Sequence, residues 1–165
     1  MDMTWVTDRI AVGGGIWIES KMAEVVGAGC SIDKEDVLDL SLRLVDQSMV
    51  VAEAPVRGEV RYRLLEPVRQ YGRERLKGSG EADDVLNRHA SFFSALARRA
   101  GPELRKARQE EWAEQIEREY ENIRAALSWV IASGQTELAL QLAESLGPFW
   151  YLKGFLREGQ RWLKG

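Results

Sequence analysis

Apolar residues recur at helical spacing over most of the chain, and one stretch breaks the pattern. Ile16 to Val26 is a short apolar run closed by Gly27 and Gly29, and it predicts a helix. Ser31 to Asp46 opens on the capping residues Ser31 or Asp33 and places Val37, Leu38, Leu42 and Val45 at helical spacing, which predicts a second one. The departure comes next. Met49 to Glu53 and Val60 to Leu65 are rich in β-forming residues and flank Ala54-Pro55-Val56-Arg57-Gly58, so they predict a hairpin with a long loop. Pro67 suits the first turn of a helix running to Lys77, with Val68, Tyr71 and Leu76 as its apolar face. Helix, helix, hairpin, helix is the order of a winged-helix unit.

The second half shows helical period only, over Val85 to Ala100, Glu111 to Ala132, Thr136 to Leu146 and Phe149 to Leu163. Its strongest stripe joins Trp112, Ile116, Tyr120, Ile123, Leu127 and Val130, while Glu114, Glu117, Arg118, Glu121 and Arg124 take the other faces. Gly134 and the pair Gly147-Pro148 punctuate short connections, so successive helices are expected as antiparallel hairpins, the unit of an α-solenoid. Lys77 to Asp84 is the most polar and Gly-rich run between apolar patterns. The expected organisation is a winged-helix domain over 1–78, a linker over 79–84 and a tetratricopeptide-like helical repeat domain over 85–165. The fold class is therefore mainly α.

Composition narrows the chemistry. With 165 residues, 45% of them hydrophobic and 30% charged, the chain buries a core, and its net charge of -3 is ordinary. That charge is uneven: residues 1–56 carry -6, 57–108 carry +6 and 109–165 carry -3. One cysteine excludes an internal disulfide, and one histidine excludes a multi-histidine metal site. The longest uncharged stretch, Ala125 to Thr136, is 12 residues and partly polar, too short for a membrane span. Neither a basic export signal nor a span is visible, so a cytoplasmic location is expected.

No active site emerges. No Lys follows a Gly, so no phosphate-binding loop is present, and Gly13-Gly14-Gly15 reads as a turn. His89 precedes Ala90, Phe92, Phe93 and Leu96 and reads as a packed or capping histidine. Cys30 lies near acids that do not activate a thiol. The glutamates from Glu110 to Glu121 spread around several helix faces, as on a solvated surface. No enzyme, no metal and no cofactor is expected. A winged helix can also read DNA, but the helix from Asp33 to Asp46 carries Asp33, Glu35, Asp36, Asp39 and Asp46 against Lys34 and Arg43, the wrong sign for phosphates. Arg57, Arg61 and Arg63 on the wing, followed by Arg69, Arg73, Arg75 and Lys77, are the basic alternative. The last segment is overloaded with Phe149, Trp150, Tyr151, Phe155, Leu156 and Trp162, either as a closed terminal helix or as a face awaiting a partner.

Three runs of residues look familiar together: Asp36-Val37-Leu38-Asp39-Leu40 through Ser48, Tyr62-Arg63-Leu64-Leu65-Glu66-Pro67-Val68-Arg69-Gln70-Tyr71, and Glu119-Tyr120-Glu121-Asn122-Ile123-Arg124 through Trp129. With Arg88-His89-Ala90 they resemble STAND-class signal-transduction ATPases, the large LuxR-type and AfsR-type bacterial transcriptional regulators. In those, an NB-ARC-like ATPase is followed by a winged helix and tetratricopeptide-like repeats. The resemblance implies a middle piece without the ATPase, either a fragment or a stand-alone remnant. The nucleotide-sensing Met-His-Asp motif of the family matches Leu64, Leu65 and Glu66, so the sensor histidine is replaced. The function implied by the resemblance is that of a non-catalytic regulatory module, in which the winged helix restrains an ATPase domain and the repeats sense a protein or ligand. Glu66, Arg69 and Arg73 are the candidate interdomain face, and Trp150, Phe155 and Trp162 the candidate partner face, with self-association through the last helix a further expectation. The alternative is a DNA-binding winged helix using Arg57, Arg61 and Arg63 on the phosphate backbone.

Overall fold

The computed structural model describes residues 17–19, 23, 26, 34–53 and 60–164. The chain forms two compact units, Met1–His89 and Ala90–Gly165. In the first, β1 (Trp17–Glu19), α1 (Lys34–Asp46), β2 (Val50–Glu53), β3 (Arg61–Leu64) and α2 (Glu66–Ser79) follow one another, with Ala23 and Val26 helical and buried between β1 and α1. The strands form an antiparallel sheet in the order β1-β3-β2, with Trp17 opposite Arg63 and Val50 opposite Leu64. This is a winged helix.

The sequence pattern led to a helix from Ile16, and here the structure differs. Trp17, Ile18 and Glu19 pair with β3 instead, whose far edge already holds β2. Three residues are too few to register a two-residue period, so tertiary pairing decides. The hairpin strands themselves fall where expected. On β3, Tyr62 and Leu64 point into the core beside Val50 while Arg61 and Arg63 point outward. The turn from α1 to β2 closes with the Ser48 N–H on the Val45 carbonyl (2.9 Å) and the Met49 N–H on the Leu44 carbonyl (3.0 Å). That is a Schellman closure, and it holds Ser48 at φ +58°, where glycine is the usual residue. Pro67 sits in the first turn of α2, and Gly80 at φ +77° ends it. Of the stretch 79–84, only Gly80 and Glu81 lie outside helices, and the division between the two units falls later, within α3 (Ala82–Glu103).

The second unit continues α3 and adds α4 (Gln109–Arg118), α5 (Tyr120–Ala132), α6 (Thr136–Lys153) and α7 (Leu156–Lys164). Helix α6 packs against α4, α5 and α7. Phe93, Ile116, Ile123, Leu127, Leu142, Leu146 and Phe149 are the largest fully buried side chains among the unit's described residues. At Gly101 the backbones approach so closely that a Cβ would stand 3.1 Å from the Ser145 carbonyl oxygen, so a larger residue there would press α3 and α6 apart by a few tenths of an ångström.

Two helix boundaries depart from the pattern. The single helix expected over 111–132 is two, broken at Glu119 with φ -99° and ψ 8°. Glu119 is buried and its carboxylate accepts from Asn122 Nδ2 at 2.7 Å. The break keeps the helical phase, so Ile116 and Ile123 remain in one core and the apolar spacing passes through it unmarked. Conversely, Gly147-Pro148 does not end a helix. Helix α6 runs through both, because Leu142, Leu146, Phe149 and Trp150 stay buried along one side. Its end is Gly154 at φ +75°, where the Phe155 N–H reaches the Trp150 carbonyl at 2.8 Å. Gly134, at φ +72°, closes α5 in the same way, as its position in the sequence suggests.

Candidate functional site on the winged helix and the helical-hairpin face

Helix α1 is the element that a DNA-reading winged helix would place in the groove. Its described outward side chains are Asp39, Leu42, Arg43 and Asp46, and Arg43 is already paired with Asp39 at 3.0 Å. That face is weakly acidic, which opposes insertion against phosphates.

The wing side is basic but crossed by acids. Arg61 stands opposite Glu53 on β2 and Glu19 on β1, while Arg63 stands opposite Val51 and Trp17. Cross-strand neighbours of opposite sign stabilise each other on such a face, so Arg61 and Glu53 form a mixed-charge pair across β3 and β2. Arg57 lies outside the described residues. On α2, Glu66, Arg69, Arg73 and Lys77 share one side of the helix by their spacing. Arg69 donates from Nε to Glu66 at 2.9 Å and also from Nη2, so this pair is locked by two bonds. Partial burial and then the nearby Arg69 lower the pKa of Arg73, as expected where guanidinium groups crowd. The structure thus brings Glu66, Arg69 and Arg73 together on one helix face.

The aromatic candidates separate. Trp150 is only 3% exposed and donates from Nε1 to the Tyr120 hydroxyl at 2.8 Å, so it is a core residue and not an outward contact. Phe155 stacks on Tyr120 with ring centres 5.6 Å apart and meets Phe149 edge-on at 6.0 Å. Trp162 is half-buried and lines an apolar groove with Ala139, Leu140 and Leu163. Burial pushes the Tyr120 hydroxyl up to about 12. The reason for Trp150's burial is Gly159: a Cβ there would meet Trp150 Cε3 at 2.5 Å, so the indole lies directly on the α7 backbone. Sequence reasoning saw an aromatic excess, but nothing in a glycine alone signals that an indole covers it.

The candidate acid and base groups of the described residues lie apart from one another. His89 is 1% exposed, and burial holds its imidazole down at about 4. It is therefore neutral near pH 7 and closed off from solvent. The glutamates of α4 and α5 disperse into separate ion pairs, Glu111 with Arg108 at 2.8 Å, Glu117 with Lys153 at 2.6 Å and Glu121 with Arg124 at 3.0 Å. Among the described residues no group of three or more His, Cys, Asp and Glu is placed to hold a metal ion. No helix among them is long and apolar enough to cross a membrane. Cys30 and Gly13-Gly14-Gly15 lie outside the described residues.

No family model and no solved structure matches the chain. Over 137 residues, 83% of its length, it is 44% identical to a Mycobacterium tuberculosis protein named "Putative HTH-type transcriptional regulator", and equally to a Mycobacterium bovis protein of the same name. Over 83 residues, 49% of its length, it is 43% identical to a Mycobacterium tuberculosis protein named "Uncharacterized protein". The chain spans 15% of the length of the first relatives and 20% of the last. A winged helix and its following helical hairpins thus resemble, across most of this chain, one segment of much longer proteins named as transcriptional regulators.

Proposed function

We propose that the chain is a non-catalytic regulatory segment of a transcriptional regulator, acting in the cytoplasm, and that its winged helix contacts DNA through the wing side. The observation that carries this reading is a β1-β3-β2 winged-helix sheet in a chain 44% identical to a segment of HTH-type regulators. Because the outward face of α1 is acidic, the contact runs through β3 and α2, with Arg61, Arg63, Arg73 and Lys77 meeting phosphates and Arg57 a further basic candidate in the sequence between β2 and β3. Such binding is positioned by backbone charge and is weakly selective for sequence.

The acidic α1 face favours a second reading. There the winged helix restrains the ATPase domain of a STAND-type regulator through Glu66, Arg69 and Arg73. The tetratricopeptide-like hairpins sense a protein or ligand and relieve that restraint. Signal transduction would then pass between proteins, with the DNA contact made elsewhere in the regulator.

Fluorescence anisotropy of a labelled duplex, titrated with the protein from about 50 to 200 mM salt, separates the two. Phosphate contacts give an affinity that falls steeply with salt, and Arg61→Ala with Arg63→Ala weakens it further. No binding at the lowest salt refutes the DNA reading and leaves the protein-restraint one.

A further inference from the structure

Helices α3 and α6 face each other across a second groove, of about 140 Å³, within the helical unit. Ser91, Ser94, Ala95 and Arg98 form its α3 wall, and Leu138 and Gln141 stand on its α6 wall. Close backbone approach fixes one end, since Gly101, a turn beyond Arg98, lies against the carbonyl of Ser145, the last lining residue of α6. Ser91, Arg98 and Gln141 are exposed at the rim. The Ser94 hydroxyl is buried in the wall and has no hydrogen-bond partner among the described residues. A polar atom left so is costly, and an acceptor seated in the groove supplies the missing bond once χ1 turns the hydroxyl toward it.

Among the described residues that line this groove, Arg98 alone is charged. It takes part in no ion pair or hydrogen bond among the described residues, whereas nearby bases are engaged: Arg99 lies over the Trp112 ring, Lys106 pairs with Glu103 at 2.8 Å and Arg108 with Glu111 at 2.8 Å. No acid stands between Asp84 and Glu103, so α3 offers Arg98 no carboxylate three or four residues away. On α6, Glu137 accepts from Gln141 at 3.3 Å, and neither it nor Glu144 lines the groove. Neutral side chains thus surround one uncommitted cation.

We propose that this groove binds a carboxylate carried on an acidic peptide segment. One cation matches one carboxylate, and the planar guanidinium meets both of its oxygens at once. A phosphate dianion would need a second base, which the walls lack. Sites for whole small molecules hold about 300 to 1,000 Å³, so a groove of about 140 Å³ admits a side chain rather than a free ligand. Ala95 and Leu138 give the methylene groups of a glutamate an apolar bed, and Ser91 and Gln141 at the rim are placed to hydrogen-bond the backbone that carries it. Fully exposed ion pairs contribute little, but here the two walls keep part of the solvent from the pair. The proposal deepens the second reading above, on which it rests for its regulatory meaning, and it is tested without DNA or an ATPase, so the two can fail separately.

Nuclear magnetic resonance of the isotope-labelled full chain, titrated with a short peptide of alternating Glu and Ala to about 5 mM at about 50 mM salt, tests it. The expected result is a saturable shift of the amides of 91–98 and 138–145, absent with the same peptide carrying Gln in place of Glu. Arg98→Gln weakens binding by at least about tenfold, and Arg98→Lys, which keeps the charge without the fork, falls between. Arg105→Gln removes another exposed and unpaired arginine, one that does not line the groove, and leaves binding within about twofold. Ala95→Phe fills the groove from an exposed position and blocks the peptide with no change of charge. All three sites are exposed, so circular dichroism of each variant should match that of the native chain. No shift at the highest peptide concentration overturns the proposal. Equal losses in Arg98→Gln and Arg105→Gln also overturn it, because diffuse attraction then suffices. Free glutarate binding as tightly as the peptide overturns the peptide source.

Discussion

Lowering the pH from 7 to 5 adds a proton to His89 only once the chain unfolds, because the folded imidazole is held at about 4 by burial against 6.5 for a solvated one. Below pH 6.5 the unfolded state takes up a proton that the folded state refuses. Stability is therefore complete above that pH and is lost as the pH falls toward 4. At 1.36 kcal/mol per pH unit the full loss approaches about 3.4 kcal/mol, of which about 2 kcal/mol falls between pH 7 and pH 5. For a chain of this size that lowers Tm by about 4 to 8 °C. The window is clean because His89 is the only histidine. Urea unfolding at pH 7, 6 and 5, followed by far-ultraviolet circular dichroism, measures it. His89→Gln has nothing to titrate there, so its stability should stay nearly flat across the window even if its absolute value is lower. Equal pH slopes in the two proteins would falsify the argument that burial keeps this imidazole neutral.

Other consequences are as direct. Gly159→Ala drives a methyl into Trp150 Cε3, so it should cost about 1 to 3 kcal/mol and red-shift tryptophan emission as the indole is pushed toward water; unchanged emission and Tm would contradict the contact. Ser48→Gly relieves a left-handed backbone that serine adopts poorly, and a rise in stability of about 1 kcal/mol should appear in the same urea titration; a fall would show that the serine side chain matters more than its φ. Tyr120→Phe removes the oxygen that accepts from Trp150 Nε1 while keeping the stacked ring, so thermal unfolding should report a loss of about 1 to 2 kcal/mol, and a neutral result would mean that water replaces the hydroxyl.

The sequence disclosed what repeats along the helix axis and concealed what depends on contact across the fold. The stripe through Ile116, Ile123 and Leu127 foretold the buried side of α4 and α5, because burial and period are one signal. The break at Glu119 left no trace in that signal, since it preserves phase. The β-rich run from Val60 to Leu65 foretold β3 as a hairpin strand, but its second partner, Trp17–Glu19, was legible only once β3 existed to pair with it. Among the candidate contacts, the spacing of Glu66, Arg69 and Arg73 was enough to put them on one side of α2. Trp150 and Phe155 looked equivalent as aromatics, yet Gly159 and Tyr120 give one a place in the core and leave the other at its margin.

Pro148 has no N–H, so the α6 ladder lacks one rung near its centre, beside a Gly147 that favours the helix weakly. What joins the two halves of α6 is the shared burial of Leu146, Phe149 and Trp150 rather than the backbone. Local preference and global packing therefore disagree at this point, and packing prevails only while α5 and α7 are in place. Detached from them, residues 136–153 would come apart at Gly147-Pro148, as two short helices with a joint between. In hydrogen exchange the amides after Pro148 should accordingly open with the loss of α7, ahead of those before it. A helix that runs unbroken through Gly147 and Pro148 in the folded chain is thus hinged in its own chemistry, and its continuity belongs to its neighbours.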